Sequence, residues 1–234
     1  MGCVIPDTMT EVIKYTQRFL KLGVDSTLEE SKLAYDEMAS CWEKISDNTG
    51  YKGHILCVEA FDRAMQAKDV YSNPRKDMKI LDVGAGTGGI GEMLKAREYT
   101  NVDALDISQE MLNLAASKNL YKKLICAPLT DKHMEEVETA GYDVVLCAGT
   151  IVYGQVKPGA IEQCARFVKP GGLFIFSIRV DSFDPAGLGF SEKCEELEKT
   201  GKWLQMLKER RELHATPNEE RFRYCYVITY KILQ

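Results

Sequence analysis

Two short stretches of this chain hold the residue types from which a binding site can be built. The first, DVGAGTGGIG at 82–91, carries glycines at 84, 86, 88 and 89 behind an apolar run of Met78, Ile80, Leu81 and Val83. An apolar run bounded by glycine reads as a buried strand, and a backbone without Cβ atoms lets a ligand approach closely. Ile90, Met93 and Leu94 recur at helical spacing, so a helix starts behind the glycines and turns its free N–H groups back towards them. Strand, glycine turn and helix predict a small-ligand pocket. The second stretch, NVDALD at 101–106, reads as another strand with Asp106 at its end. Gly84, Gly86 and Gly89 also satisfy the dinucleotide fingerprint G-x-G-x-x-G, which leaves a nicotinamide cofactor open at this point.

Other chemistry-bearing residues are scattered. Histidines stand at 54, 133 and 214, without metal-ligand spacing, and eight cysteines include no C-x-x-C pair. That pattern predicts reduced thiols and no metal site. Net charge is −5, which offers no basic field for a nucleic-acid backbone. No apolar run approaches the roughly 20 residues of a membrane span, and the N-terminus lacks the pattern of a signal peptide. Pro6 stands where the myristoylation pattern wants Ser or Thr. The expectation is a soluble, cytoplasmic protein that binds neither membrane nor nucleic acid.

The 234 residues, 45% apolar and 28% charged, predict one domain over 1–234. Helices are expected over 8–22, from Ser26 or Thr27 through Ala39, and over 51–65 with Ile55, Val58 and Phe61 facing the core. These N-terminal helices, residues 1–70, would cover a core over 78–234, with 68–77 as a surface connection. Within the core, Ser108 caps a helix bearing Met111, Leu112 and Ala115, and strands follow at 124–127, 143–147 and 173–178. Helices are expected over 130–139, over 158–168 with KPGG at 169–172 as its stop, and over 191–200. Strands alternating with helices argue a Rossmann-like α/β fold, a mostly parallel sheet with helices on both faces. The chain then departs from that rhythm. Stretches 203–213 and 221–232 read as two strands joined by 214–220, hence a C-terminal antiparallel hairpin and seven strands in all. Tyr224, Tyr226, Ile228 and Tyr230 share one face of the last strand.

With Asp82 preceding its glycines, the string D-x-G-x-G-x-G resembles that of the class I S-adenosylmethionine-dependent methyltransferases. DISQEML at 106–112, KPGG at 169–172 and the edge hairpin extend the resemblance over about 35–232. YDEMA at 35–39, Trp42 and Tyr51 match the aromatic N-terminal block of small-molecule members. YGQVKPGAI at 153–161 and SIR at 177–179 look most like the methyltransferase-like subgroup of the Williams–Beuren syndrome region.

The resemblance implies S-adenosyl-L-methionine as cofactor and assigns residues to it. Gly84, Ala85 and Gly86 would pass against its amino-acid end with Asp82 bracing the turn, and Asp106 would accept from both ribose hydroxyls. The plainer role for Asp106 is a helix cap. Ile107 and Met111 would flank adenine, or else belong to the core. Where the family often has an acid after the third strand, this chain offers Ala127-Pro128-Leu129, so backbone at Pro128 and Leu129, or Asp131, must serve. Tyr35 and Tyr51 would close over the cofactor, and Ala148 and Gly149 would run beneath its methionine portion after Cys147.

Methyl transfer to a small-molecule acceptor is the function implied, with positioning as the main catalytic device and a general base optional. Tyr153, His54, His133 and Tyr35 are the side chains considered for that base. Specificity is expected from the N-terminal helices and from the loops after strands four and five, where Tyr153 and Arg179 would meet the acceptor, Arg179 by pairing with a carboxylate if it faces the crevice, or else forming only a surface salt bridge. CAGTIVYG after strand four lacks the D/N-P-P-Y/F of amino-base methyltransferases and the Asp-Asn pair of the metal-dependent catechol type. A nicotinamide dehydrogenase and a non-catalytic cofactor-binding module remain as alternatives, and the sequence does not indicate an oligomeric state.

Overall fold

The computed structural model describes residues 21–23, 25–67, 77–184 and 188–234. The helix expected over 8–22 lies, but for its last two residues, outside them, as does most of the 68–77 connection. Helix α1 spans Leu28–Met38, opened by a capping box in which Thr27 and Glu30 satisfy each other's backbone N–H groups. A 3-10 turn, Ala39–Cys41, breaks it from α2, Trp42–Thr49, and α3 spans Gly53–Gln66. Of the three residues expected to face the core from α3, Val58 and Phe61 are buried but Ile55 is exposed. Leu56 and Cys57 are buried there instead, because the buried stripe of α3 is wide enough to pass one residue beyond Ile55.

The sheet contains β1 (Ile80–Val83), β2 (Val102–Asp106), β3 (Lys123–Cys126), β4 (Tyr142–Cys147), β5 (Val168–Arg179), β6 (Trp203–Glu212) and β7 (Tyr224–Ile232). Its order is β3-β2-β1-β4-β5-β7-β6. The first five strands are parallel, and β7 inserts antiparallel between β5 and β6. Every residue of β1 and β4 is buried, as strands covered on both faces require. Helices α4 (Gly89–Ala96), α5 (Gln109–Ser117), α6 (Gly159–Phe167), the short α7 (Val180–Phe183) and α8 (Phe190–Lys199) complete the layers.

Alternation along the strands divides the core. Leu81, Val83, Phe174, Phe176, Ile228 and Tyr230 pack against α6 and α8, with Trp203 and Tyr230 stacked at 3.7 Å between ring centroids. Ile80, Val144, Ile175 and Val227 pack on the opposite side, against α3 and α4. Among the described residues, no helix is long and apolar enough to cross a membrane.

Three expectations are corrected. Residues 130–139 form turns rather than a helix. The Arg166 guanidinium supplies the reason: it donates to the carbonyls of Met134 and Val137 at 2.9 and 3.1 Å and to Thr139 Oγ1 at 2.7 Å, so those groups need no helical partners. KPGG at 169–172 does not stand between helix and strand but lies inside β5, where pairing with β4 shifts register between Tyr142 and Val144. Finally β7 starts at Tyr224, because Glu220–Phe222 winds into a 3-10 turn.

Candidate active site

The carboxyl ends of the parallel strands carry the site. β1 delivers Val83 and the glycine turn, whose Gly84 and Ala85 N–H groups donate to Leu105 O at 2.7 and 3.2 Å. That clamps the turn to the neighbouring strand. Gly84 has φ +70°, and a Cβ there would stand 1.6 Å from Thr150 Oγ1, so the close approach of the β4 loop requires glycine. Gly86 differs: a Cβ there would meet only Trp42 Nε1, at 3.9 Å, and otherwise open space.

Asp106 closes β2 and is 8% exposed. Its Oδ2 accepts from Gly86 N and its Oδ1 from Ser108 N, both at 2.8 Å. Burial raises its pKa to about 6, the backbone N–H groups of Ser108, Gly86 and Ile107 oppose the rise, and Asp36 adds to it. A carboxylate so held keeps acceptor capacity beyond these bonds. Asp82 accepts from Tyr121 O–H at 2.6 Å through Oδ2, while its Oδ1 is buried without a donor among the described residues. Burial is the main reason its pKa rises to about 7.

A cavity of about 510 Å³ opens along this edge, within the range of about 300–1,000 Å³ usual for small-molecule sites. On the β1–β2 side its wall includes Asp82, Gly84, Ala85, Gly86, Asp106 and Ile107, with Met111 and Leu129 near them. Tyr35, Trp42, Tyr51 and His54 from the N-terminal helices line it as well, and Ala148, Gly149 and Arg179 continue it towards β5. Pro128 and Asp131 are not on this wall. Neither is Tyr153, which is 43% exposed, nor His133, which lies 3.7 Å from Glu135 on the surface. Arg179 is held by Asp181 through two 2.8 Å bonds and lies over the Phe222 ring at 4.2 Å.

Sequence reasoning passed over several wall residues. Gln155 accepts from Tyr35 O–H, joining α1 to the loop after β4. Leu213, His214, Asn218 and Phe222 come from the connection between β6 and β7. The His214 ring lies 5.2 Å from that of Tyr51, and its Nδ1 is buried without a partner among the described residues. Burial, with Arg179 adding, lowers its pKa to about 4, and burial likewise lowers that of His54. Both imidazoles are neutral at physiological pH. The available signal was topological: an antiparallel hairpin at the sheet edge returns its connection to the carboxyl side of β5.

Residues 80–172 match a family model described as a methyltransferase domain. The strand order, the edge hairpin and the glycine turn facing Asp106 surround that methyltransferase segment, and in them the chain is similar to the class I S-adenosylmethionine-dependent methyltransferases. Among individual proteins it is similar to human methyltransferase-like protein 27, 29% identical over 173 residues that make up 72% of this chain and 66% of that protein. It is also similar to a ubiquinone biosynthesis O-methyltransferase of Colwellia psychrerythraea, 34% identical over 49% of this chain and 47% of the relative. The chain thus spans about half to two thirds of these relatives' lengths. A TehB-like S-adenosylmethionine-dependent methyltransferase from Corynebacterium glutamicum shares the fold, with a TM-score of 0.53 at 18% identity over 85% of this chain and 97% of that one.

Proposed function

We propose that this protein transfers the methyl group of S-adenosylmethionine to a small-molecule acceptor. The observation that carries the reading is the Asp106 carboxylate, fixed by Gly86 N–H and Ser108 N–H with acceptor capacity left at the cavity wall. The residues fit the cofactor. Two ribose hydroxyls draw on that capacity, and the open space above Gly86 and the undonated Asp82 Oδ1 suit the amino-acid end.

When bound, S-adenosylmethionine supplies a methyl group already activated on sulfur. The chain's residues bind and orient. Asp106 accepts from the ribose, Gly84 to Gly86 present backbone to the amino-acid end, and Ile107, Met111 and Leu129 offer apolar walls to adenine. Tyr35, Trp42 and Tyr51 exclude water from above. Holding an acceptor in line is worth about 7–11 kcal/mol of barrier. The cavity's volume, the net charge of −5 and the name of the O-methyltransferase relative support a small acceptor.

Continuation of the cavity past Gly149 to Arg179 and Phe222 favours catalysis over a binding module, which needs no acceptor space. Calorimetric titration with S-adenosylhomocysteine and with NADH, followed by incubation of a metabolite extract with methyl-labelled cofactor, tests the proposal. Binding of S-adenosylhomocysteine and a labelled small product are expected; preference for NADH, or label appearing only in macromolecules, would overturn it.

A further inference from the structure

Strand β6 ends the sheet on its β7 side, and its outer edge is covered only where Gln205 N donates to Glu198 Oε1 of α8 at 3.3 Å. Past the register shift between Gln205 and Leu207, no backbone group from Leu207 to Glu212 bonds to anything but β7 among the described residues. That leaves a row of unpaired N–H and C=O groups. The charges on the same strand divide by face. Glu209 and Arg211 bond to each other at 3.5 Å and to Arg63 and Glu59 of α3 at 2.8 and 2.9 Å, while Glu212 is taken up by Lys52 at 2.7 Å. Lys208 and Arg210 alternate with Glu209 and Arg211 and so share the opposite face, and neither forms an ion pair among the described residues. Both lie over aromatic rings instead: Lys208 Nζ is 4.2 Å from the centroid of Phe183 and 4.4 Å from that of Tyr226, and the Arg210 guanidinium is 3.8 Å from that of Tyr224. The rings hold the cations in place without neutralising them. Asp184 accepts from Tyr226 O–H at 3.1 Å and pairs with neither cation. Both residues are exposed and neither lines the cavity.

We propose that the outer edge of β6 from Leu207 to Glu212 docks an extended acidic segment of a protein partner, which joins the sheet as an additional strand with its carboxylates opposite Lys208 and Arg210. The free edge supplies main-chain pairing and the two cations select the partner. Residues two apart on a strand point the same way, about 6.6–6.8 Å from each other, so the segment carries acidic residues at that spacing. A neutral or basic strand is not favoured, because cations on an edge deter such pairing, which is also their plainer role. In a chain of net charge −5 this strip is a local exception rather than part of a basic field. A membrane or a nucleic acid answers its charge, but neither offers the repeating backbone donors and acceptors that match the edge of a strand.

The test uses the full chain and, as probe, a labelled peptide of alternating glutamate and threonine followed by fluorescence anisotropy. Saturable binding that weakens as salt rises is expected, since exposed charge pairs are screened. Combining Lys208→Gln with Arg210→Gln, which keeps uncharged side chains beside the rings, should weaken binding about tenfold through the loss of two cross-strand charge pairs. Lys123→Gln, an exposed lysine on β3 at the opposite edge of the sheet, should leave it unchanged. A peptide with lysine in place of glutamate should not bind. Hydrogen exchange gives a second reading that needs no variant: the glutamate peptide should slow exchange of amides between Leu207 and Glu212. Phosphatidylserine vesicles and single-stranded DNA are the competing probes. Absence of saturable peptide binding, equal affinity in the wild type and the double variant, an equal loss in Lys123→Gln, unslowed exchange between Leu207 and Glu212, or tighter binding of the vesicles or the DNA than of the peptide would each overturn the proposal.

Discussion

Ser108 Oγ donates to Asp36 Oδ1 at 2.6 Å, which ties helix α1 to the first turn of α5, two residues past Asp106. The same Asp36 oxygen accepts from Glu110 N at 3.3 Å, and Ser108 Oγ also caps α5 by accepting from Met111 N at 3.1 Å. Burial works against ionisation of Asp36, but Lys32 and Ser108 outweigh it and hold its pKa below the usual carboxylate value. Asp36 is therefore ionised and its bonds charge-assisted. A covering helix is thus anchored beside the proposed ribose contact.

Asp36→Ala is accordingly expected to loosen that cover. S-adenosylhomocysteine should dissociate several-fold faster, measured by stopped-flow fluorescence of Trp42. Ser108→Ala should cost about 0.5–2 kcal/mol of stability in denaturant unfolding, the usual cost of losing a helix cap. An unchanged dissociation rate in Asp36→Ala would mean that α1 does not restrain the cofactor.

Asp106→Ala should weaken S-adenosylhomocysteine binding by roughly 1–3 kcal/mol, the loss expected for hydrogen bonds to a buried charged group. Calorimetry decides. The same affinity in the variant would remove Asp106 from the ribose role.

The two glycines of the turn should separate stability from binding. In Gly84→Ala the new Cβ meets Thr150 Oγ1 at 1.6 Å and Thr150 Cβ at 2.7 Å, so thermal unfolding should come well below that of the wild type. Gly86→Ala faces open space and should cost only the left-handed backbone penalty of about 1–2 kcal/mol, while the space offered to the cofactor shrinks and affinity falls. Equal effects of both substitutions on the melting temperature would contradict this division.

The free protein should respond to pH through its buried acids. Asp82 and Asp106 have pKa values raised to about 7 and about 6, above the ordinary value near 4 of an unfolded chain. Between those limits the folded state binds more protons, so both acids make stability rise as pH falls from 8 towards 4. His214, lowered to about 4, acts oppositely, because the unfolded chain protonates first below about 6.5. Melting temperature of the ligand-free protein should therefore rise from pH 8 to pH 6.5, and Asp82→Asn should flatten that rise. Cofactor affinity should instead fall as Asp106 protonates.

How much of this was legible in advance depended on the range of the interactions involved. The β1 turn and Asp106 were readable because each lies at the end of a short apolar run, and local pattern fixes a strand's end. The antiparallel edge was readable because 203–232 holds two strand patterns without a helix between them. The turns at 130–139 were not, since Arg166, about 30 residues later, decides them by taking their carbonyls. His214 and Phe222 escaped for a related reason. They sit in a polar connection with no periodicity, and only the pairing of β7 with β5 carries them to the cavity. Tyr153 was favoured as the aromatic residue after strand four, yet it is Gln155, two positions on, that faces Tyr35.

The wall proposed to meet the nucleoside comes largely from one continuous segment, residues 82–129, whereas His214, Asn218 and Phe222 are contributed some ninety residues later by a hairpin at the rim. That connection is also tied to the cover: Lys52 N donates to Leu213 O, Ala215 N to Gly50 O, and His214 bridges to Tyr51. Exchanges between Leu213 and Arg223 would therefore shift the seat of Tyr51 as well as the rim, and point substitutions at Asn218 and Phe222 are the gentler starting point for redirecting selectivity under the proposed function.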